Sequence, residues 1–273
     1  MAAPATTQAW PCPRWIAHRG AGKLAPENTL AAFRLGAAHG YRAFECDVKL
    51  SADGVPFLLH DATLERTTSG QGTAGDQPWA ALSQLDAGSW HSRAHAGEPL
   101  PTLAGLARFI LANHLQLNIE IKPTPGQEAL TGRVVGEQAA RLWAGQAMPP
   151  LFSSFRPEAL QGARETAPHL PRALLLDTLW PGCLDMAAQL GCVAIVTNHL
   201  LMDAALVAQA RQALALQRQL LVPARRGAGG QHRGNACGRR AVPGADEVED
   251  VRELVNYRLN GAMDSEGNVP CLA

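Results

Sequence analysis

The stretch ECDVKLSADGVPFLLHD, residues 45–61, contains two strand patterns separated by the tripeptide ADG, residues 52–54. A short turn with a glycine is typical of a hairpin and is too short for a parallel crossover. We therefore predict one buried strand that extends into a hairpin and then returns. The return strand brings His60 back towards Glu45 and Asp47.

Short strand-like runs alternate with amphipathic helical stretches around this hairpin, from residue 15 to about residue 213. The predicted strands are Trp15–Arg19, Ala43–Leu50, Val55–His60, Leu117–Lys122, Leu151–Phe155, Arg172–Leu176 and Val193–Thr197. The predicted helices are Asn28–His39, Leu103–His114, Glu128–Ala144, Pro157–Thr166, Leu184–Leu190 and Asp203–Ala213. This rhythm favours a parallel sheet with helical crossovers. Without the return strand, six barrel strands remain, and a closed (β/α)8 barrel needs about eight.

Composition indicates a globular α/β protein with a sizeable core. Of the 273 residues, 47% are hydrophobic and 18% are charged. The formal net charge of zero gives no electrostatic argument for a nucleic-acid or anionic-membrane partner. No apolar run reaches the roughly 18 residues that a membrane span needs, and the N-terminus does not resemble a secretory signal.

The cysteines are scattered and form no CxxC pair. They are too sparse for a disulfide framework and poorly spaced for zinc, so we expect a reducing, cytoplasmic compartment. The six positions are Cys12, Cys46, Cys183, Cys192, Cys237 and Cys271.

Charged residues lie inside two of the predicted strands. Glu45 and Asp47 are two positions apart, so their side chains project from the same face of a strand, and Glu120 and Lys122 are spaced in the same way. Buried charges need a metal, an opposite charge or water. A set of carboxylate oxygens favours Mg²⁺ or Ca²⁺ over zinc. Structural ion pairs are the alternative interpretation.

Two histidines fall at predicted strand ends, where the active sites of barrels are built. His18 ends the first strand and His60 ends the hairpin return, and imidazoles exchange protons near neutral pH. Single histidines at such places are more often structural. Arg19 can donate a fork of N–H groups to phosphate oxygens, and Lys122 can add a second positive charge. Together these side chains could hold a phosphodiester.

Asn28 and Thr29 follow Pro26 and Glu27 where the first helix begins, and we expect them to be N-cap residues. The helix N-terminus could also help to bind phosphate. Residues 65–100 form a Gly-, Ser- and Thr-rich excursion. Its length is unusual for a loop and indicates function or a small subdomain.

Seven motifs occur in order along the chain: HRG (18–20), APENTLAAF (25–33), ECDVKLSADGVPFLLHD (45–61), LERTTSGQG (64–72), LDAGSW (85–90), GEPLPTL (97–103) and NIEIKP (118–123). In this order they resemble the bacterial glycerophosphodiester phosphodiesterases, especially the small cytosolic enzymes of that family. The resemblance covers roughly residues 14–212. It implies a TIM-type (β/α)8 barrel of the phospholipase-C-like kind with a small insertion.

The resemblance also implies an activity and a set of site residues. The family hydrolyses glycerophosphodiesters, which are deacylated phospholipids, to sn-glycerol 3-phosphate and an alcohol. The implied partner is therefore a small molecule, and the cofactor is one divalent cation, Mg²⁺ or Ca²⁺. The implied site residues are the metal ligands Glu45, Asp47 and Glu120, the general acid and base His18 and His60, and the phosphate-binding residues Arg19 and Lys122.

The resemblance ends after about Gln212. The family continues with a strand of the kind LRVLVYTVN and a closing strand of the kind GVDGIITD, whereas this chain has an Arg-, Gly- and Ala-rich stretch. We hypothesise that the reading frame shifts near residue 213, because out-of-frame translation of a GC-rich gene gives such a composition. The predicted organisation is an N-terminal extension (1–13), a barrel domain (14–212, with the insertion at about 65–100) and an atypical tail (213–273).

Two alternatives remain open beside hydrolysis. A related phosphodiester lyase of the sphingomyelinase D type shares the barrel and the metal–histidine arrangement, although GEPLPTL and NIEIKP favour the hydrolase. The other alternative is an inactive or poorly folded member of the family, because a barrel without its last two strands exposes strand edges and apolar faces.

Overall fold

The structure, a computed structural model, describes Pro13 and residues 15–214. The strands in this range are β1 Ala43–Leu50, β2 Pro56–Leu58, β3 Gln116–Ile121, β4 Leu151–Ser154, β5 Arg172–Leu176 and β6 Ala194–Thr197. The α-helices are α1 Leu30–Ala38, α2 Trp79–Leu82, α3 Leu103–Ala112, α4 Glu128–Leu142, α5 Pro157–Thr166, α6 Cys183–Gln189 and α7 Ala204–Leu214. Apart from the first predicted strand, each predicted strand and helix is present with ends within two residues of those expected.

The strands form one sheet in the order β2-β1-β3-β4-β5-β6. Every pairing is parallel except that of β1 with β2, which is the predicted hairpin. Val48 pairs with Leu58 and Leu50 with Pro56, and Gly54 in the turn has a φ of 79°. Glycine adopts this left-handed conformation without the steric penalty that a Cβ atom brings. The hairpin directs the chain after β2 back along β1.

The first predicted strand is shorter than expected. Of Trp15–Arg19, Ala17 alone forms a bridge, parallel to Phe44 of β1. Arg19 has a φ of 52°, so the chain leaves extended geometry immediately after His18. The physical reason for the difference is therefore a left-handed residue that local strand propensity does not reveal.

The sheet curls into a barrel wall. Ile16, from the first segment, packs against Leu151, Ala173 and Ala194 of β4, β5 and β6, so residues from opposite ends of the sheet meet inside the wall. The helices cover the outer face and enclose the main apolar core. This is the arrangement of a (β/α)8 barrel over its first six strand positions, as predicted.

Capping side chains explain where the helices begin. Thr29 accepts a hydrogen bond from the N–H of Ala32 at the start of α1, and Thr102 does the same for Gly105 at the start of α3. Pro157 occupies the first turn of α5, where its missing N–H leaves no intrahelical bond unmade.

Residues 65–100 form a small subdomain. The segment contains α2 and two short 3-10 helices. Together with the end of the hairpin it packs around its own apolar cluster of Phe57, Leu59, Leu64, Ala74, Leu82, Ala87 and Leu100. The excursion is therefore anchored to the return strand that carries His60.

The predicted extension lies outside the described residues except for Pro13, and the predicted tail lies outside them except for residues 213 and 214, which end α7. The domain boundaries and the change of reading frame accordingly stay predictions. None of the helices formed by the described residues has the length and apolar character that a membrane crossing requires.

Candidate active site

Three acidic side chains from two neighbouring strands converge. Glu45 and Asp47 belong to β1 and Glu120 belongs to β3, where Asp47 and Glu120 are direct partners in the parallel register. One carboxylate oxygen from each residue lies within 4.8 Å of the other two. All three side chains are buried. The structure thus brings together the three metal ligands that the sequence predicted.

The negative charge of this triad is only partly offset. Glu45 Oε1, Asp47 Oδ1 and Glu120 Oε1 are buried and accept no well-aligned hydrogen bond from the described residues, although the last two form ion pairs with Lys122. Burial, followed by the neighbouring Asp47 carboxylate, raises the pKa of Glu45 well above its usual value and the pKa of Glu120 to about 7. An all-oxygen cluster of this kind suits a hard divalent cation. The triad could therefore hold a metal ion.

Two cations lie beside Asp47. Arg19 Nε is 3.0 Å from Asp47 Oδ2, and Lys122 Nζ is 3.5 Å from Asp47 Oδ1 and 3.3 Å from Glu120 Oε1. Burial alone would raise the pKa of Asp47, but Arg19 and Lys122 hold it well below its usual value. Asp47 is consequently a carboxylate, and both predicted phosphate-binding residues lie next to the candidate metal site.

His18 lies against Glu45, the other acidic side chain of β1. Its Nε2 is 3.7 Å from Glu45 Oε2, and burial, followed by the charge of Arg19, lowers the pKa of His18 well below its usual value. The backbone N–H of Arg19 donates to the same Glu45 oxygen at 3.0 Å. This bond is made by a residue in the left-handed region, a strain that is typical of functional sites. A neutral imidazole therefore lies next to the triad.

His60 follows the return strand and is oriented by its neighbour. Nδ1 of His60 is 2.6 Å from Asp61 Oδ1. Partial burial would raise the pKa of Asp61, but hydrogen bonds from Arg66 and His60 hold it well below its usual value. Because a carboxylate can only accept, Nδ1 carries the proton and Nε2 has a lone pair. Burial also lowers the pKa of His60, so its ring is neutral near neutral pH.

Lys49 joins the hairpin to the end of β3. Its buried ammonium group donates to the carbonyl oxygens of His60 at 3.3 Å and Lys122 at 3.1 Å. Burial lowers the pKa of Lys49 to about 8. Its place two positions after Asp47 on β1 puts it on the face of the acidic residues, and this spacing is the sequence signal that could have identified it.

The predicted N-cap role is right for Thr29 and wrong for Asn28. Asn28 has a φ of 58°, and its amide binds Asp47 in both directions. Nδ2 donates to Asp47 Oδ2 at 2.8 Å, and Oδ1 accepts from the Asp47 N–H at 3.1 Å. Asn28 therefore orients a candidate metal ligand. The tolerance of asparagine for the left-handed region is the signal that was available.

Sequence reasoning also missed three charged residues at the rim of the site. Arg66 lies between the carboxylates of Glu27 and Asp61, and Glu27 also accepts from Arg19. These residues lie within the motifs APENTLAAF, LLHD and LERTTSGQG, so their motifs were recognised although their contacts were not.

An open cavity of about 1280 Å³ lies over these groups. Its lining combines the two histidines, the cations and Glu120 with the aromatic rings of Trp90, Phe155 and Trp180. Ligand sites of this kind combine apolar walls with a few polar groups that fix orientation. The cavity is large enough for a small organic phosphodiester.

Comparison with known proteins identifies a family of similar sequences. The model of the glycerophosphoryl diester phosphodiesterase family matches residues 18–218. A glycerophosphodiester phosphodiesterase of Caldanaerobacter subterraneus is 36% identical over 164 residues, which are 59% of this chain and 65% of that protein. The chain thus spans just under two thirds of the length of this relative.

Solved structures agree in fold. A phosphodiesterase of Oleispira antarctica, in complex with the product sn-glycerol-3-phosphate, is 35% identical, with a TM-score of 0.68 over 74% of this chain and 81% of that chain. A glycerophosphodiester phosphodiesterase from Agrobacterium tumefaciens is 28% identical, with a TM-score of 0.62 over 77% of this chain and 85% of that chain. The predicted barrel fold is thereby confirmed. Since the family model covers well over half of the sequence, this chain belongs to the glycerophosphoryl diester phosphodiesterase family.

Proposed function

We propose that the chain hydrolyses glycerophosphodiesters to sn-glycerol 3-phosphate and an alcohol, with one divalent cation, Mg²⁺ or Ca²⁺, as cofactor. The observation that carries this proposal is a set of three buried carboxylate oxygens without hydrogen bonds, close to two neutral imidazoles and two cations. The product bound to the Oleispira protein supports glycerol 3-phosphate as the product here.

In this proposal Glu45, Asp47 and Glu120 hold the ion, which would withdraw charge from the phosphoryl oxygens. The oxygens of the triad fit such an ion because they are buried, accept no hydrogen bond among the described residues and lie close together. Asp47 is already ionised, whereas Glu120 has to lose a proton to bind a cation near neutral pH.

The remaining side chains bind the phosphate and move protons. Arg19 and Lys122 attract the anionic oxygens, because both carry a fixed positive charge at the cavity wall. His18 and His60 act as general acid and base for the attacking and leaving oxygens. Nε2 of His60 is ready to accept a proton, because Nδ1 already donates to Asp61.

A second candidate is a family member that binds a divalent ion but does not turn over. One specific observation favours it: within residues 15–214, β6 has a strand neighbour on one side only, so the described part of the barrel wall is not closed there. Ion binding needs only β1 and β3, whereas a closed substrate pocket needs the whole wall.

Release of glycerol 3-phosphate from glycerophosphocholine, with and without a chelator, tests the proposal. We expect release that depends on the ion and is lost in Glu120→Gln, and normal release in the matched control Glu137→Gln, whose side chain is exposed on α4. Ion binding without release would favour the second candidate, and a chain with the expected C-terminal strands restored would then show whether closure rescues activity. Accumulation of a cyclic phosphate would instead identify a lyase.

The proposal also includes the metabolic process and the cellular compartment of the reaction. Breakdown of glycerophospholipids in the cytoplasm fits a chain whose Cys46, Cys183 and Cys192 are buried free thiols. Fractionation of cells that express the native gene would test this location, and recovery outside the cytoplasm would exclude it.

A further inference from the structure

Arg66 makes an unusually complete set of hydrogen bonds for a side chain that is 45% exposed. Its guanidinium donates from Nη1 and Nη2 to the two oxygens of Glu27, at 2.8 Å each. It donates from Nε and Nη2 to the two oxygens of Asp61, at 2.5 and 3.0 Å. Both carboxylates are therefore bound bidentately by one planar group, the geometry in which arginine gives the strongest and most directional pairing.

Each of these carboxylates leads to a residue of the proposed active site. Glu27 Oε1 also accepts from Arg19 Nη1 at 2.7 Å, and Asp61 Oδ1 also accepts from His60 Nδ1 at 2.6 Å. A continuous chain of hydrogen bonds thus runs from the phosphate-binding guanidinium through Glu27, Arg66 and Asp61 to the imidazole.

We propose that Arg66 is a positioning residue that fixes the Arg19 guanidinium and the His60 imidazole relative to each other, acting through Glu27 and Asp61. The inference rests on the proposed phosphodiester hydrolysis. Arg66 belongs to the excursion, so the packed subdomain of residues 65–100 gains a function: it holds the rim of the active site in shape.

The physical reason is the restriction of two carboxylates that would otherwise rotate. An Asp61 carboxylate with both oxygens bound cannot turn away from His60, so the proton of the imidazole stays on Nδ1. Supporting hydrogen bonds of this kind set the tautomer and orientation of an imidazole, and their loss typically changes activity by about 10–100-fold.

Kinetics of Arg66→Met provide the first test. We expect kcat to fall and KM to rise, with kcat/KM reduced by about 10–100-fold. Asp61→Asn should mainly lower kcat, because it breaks the hydrogen-bonded connection from Arg66 to His60. Glu27→Gln should mainly raise KM, because it weakens the connection from Arg66 to Arg19. Arg66→Lys should recover only part of the activity, since an ammonium cannot bind both carboxylates bidentately. The matched control is Arg133→Met, whose side chain is equally exposed and pairs with Glu165 on the protein surface.

A second readout does not require activity. In ¹⁵N NMR spectra of the full chain, the His60 ring nitrogens should show well-separated shifts, with the proton on Nδ1. In Arg66→Met the two shifts should move towards each other as the tautomers exchange, and in Arg133→Met they should not. Unchanged His60 shifts in Arg66→Met would overturn the proposal, as would wild-type kcat and KM in an active chain. A wild-type chain that releases no glycerol 3-phosphate would refute the proposed function alone, and the NMR comparison would still decide the role of Arg66.

Discussion

The three carboxylates of the triad receive unequal support from their neighbours. Asp47 is held by Arg19, Lys122 and the Asn28 amide, and its pKa is low. Glu120 has a pKa of about 7, because burial and the nearby Asp47 charge disfavour its ionised form. Burial also raises the pKa of Glu45. In the proposed mechanism a cation would therefore displace protons from Glu45 and Glu120, which would couple ion binding to proton release.

Loss of either imidazole should slow the reaction strongly. We expect His18→Ala and His60→Ala each to reduce kcat by about 10²–10⁴-fold, the usual contribution of general acid–base catalysis. The rate of glycerol 3-phosphate release at saturating Mg²⁺ measures the effect. His39→Ala is a suitable control, because His39 is exposed just after α1. Near-full activity in both site variants would contradict the assigned roles.

Removal of the Asn28 amide should weaken ion binding. In Asn28→Ala, Asp47 loses both a donor to Oδ2 and the acceptor of its N–H. We expect the dissociation constant for Mg²⁺ to rise by about 10–100-fold, as for other supporting groups of metal sites. Titration calorimetry measures it, with the exposed Asn113→Ala as control. An unchanged constant would show that Asp47 needs no such orientation.

Charged residues within apolar strands were predictable from the sequence, because alternation places Glu45 and Asp47 on one face of their strand and Glu120 and Lys122 on one face of theirs. The supporting residues were not predictable in the same way. Asn28 and Asp47 are 19 positions apart, and Arg66 and Glu27 are 39 positions apart. Contacts over such separations depend on how loops cross the barrel mouth, which local patterns do not specify.

At the scale of elements, the register between β1 and β3 determines which acidic side chains of the candidate site lie next to each other. Asp47 lies opposite Glu120, and Glu45 lies two positions earlier on the same face. The sequence predicted both strands and the hairpin, because apolar runs and a turn glycine are local signals. It did not predict the short first strand, because the left-handed conformation of Arg19 arises from contacts with Glu45 and Asn28 across the structure.

The N-cap of α1 should contribute measurably to stability. Thr29 accepts from the Ala32 N–H and donates to the Pro26 carbonyl, and it is fully buried. We expect Thr29→Ala to lower the free energy of unfolding by about 1–2 kcal/mol, and Thr29→Ser to restore most of it. Urea denaturation measures the change, with the exposed Thr178→Ala as control. A loss no larger than that of the control would argue against the cap.

At the scale of the whole molecule, the described wall has six strand positions, as the sequence predicted. Ile16 already meets β4, β5 and β6 inside the wall, so the curvature of a barrel is present before the remaining positions are considered. Residues 215–273 lie outside the described part of the chain, and their sequence shows no periodic strand pattern.

Stability should depend on pH differently with and without a divalent ion. The pKa of Glu120 is about 7 in the folded chain and 4.5 when unperturbed, so between these values the folded state binds more protons. Without an ion, the contribution of Glu120 to stability therefore falls as pH rises through that window. With an ion the ionised form is favoured, so the rise in melting temperature on adding Mg²⁺ should be larger at about pH 8 than at about pH 5.5.

Comparing stability with and without the ion isolates the effect of the raised pKa values of Glu120 and Glu45, because the lowered pKa of His18 contributes a slope of opposite sign in both conditions. Differential scanning fluorimetry at each of the two pH values, with and without Mg²⁺, measures the melting temperatures. Glu120→Gln should remove most of the dependence on the ion. An equal rise at both pH values would show that Glu120 does not exchange a proton for the cation.

The alternation of side chains along β1 predicts how substitutions at successive positions should affect the protein. Glu45, Asp47 and Lys49 project from the face of β1 that carries the candidate site, whereas Cys46, Val48 and Leu50 belong to the apolar core. A saturation library over residues 45–50 should therefore separate into two interleaved classes. Substitution of Glu45 should yield abundant but inert protein, since its carboxylate is crowded by Asp47 and Glu120. Substitution at the even positions should yield scarce protein with intact specific activity.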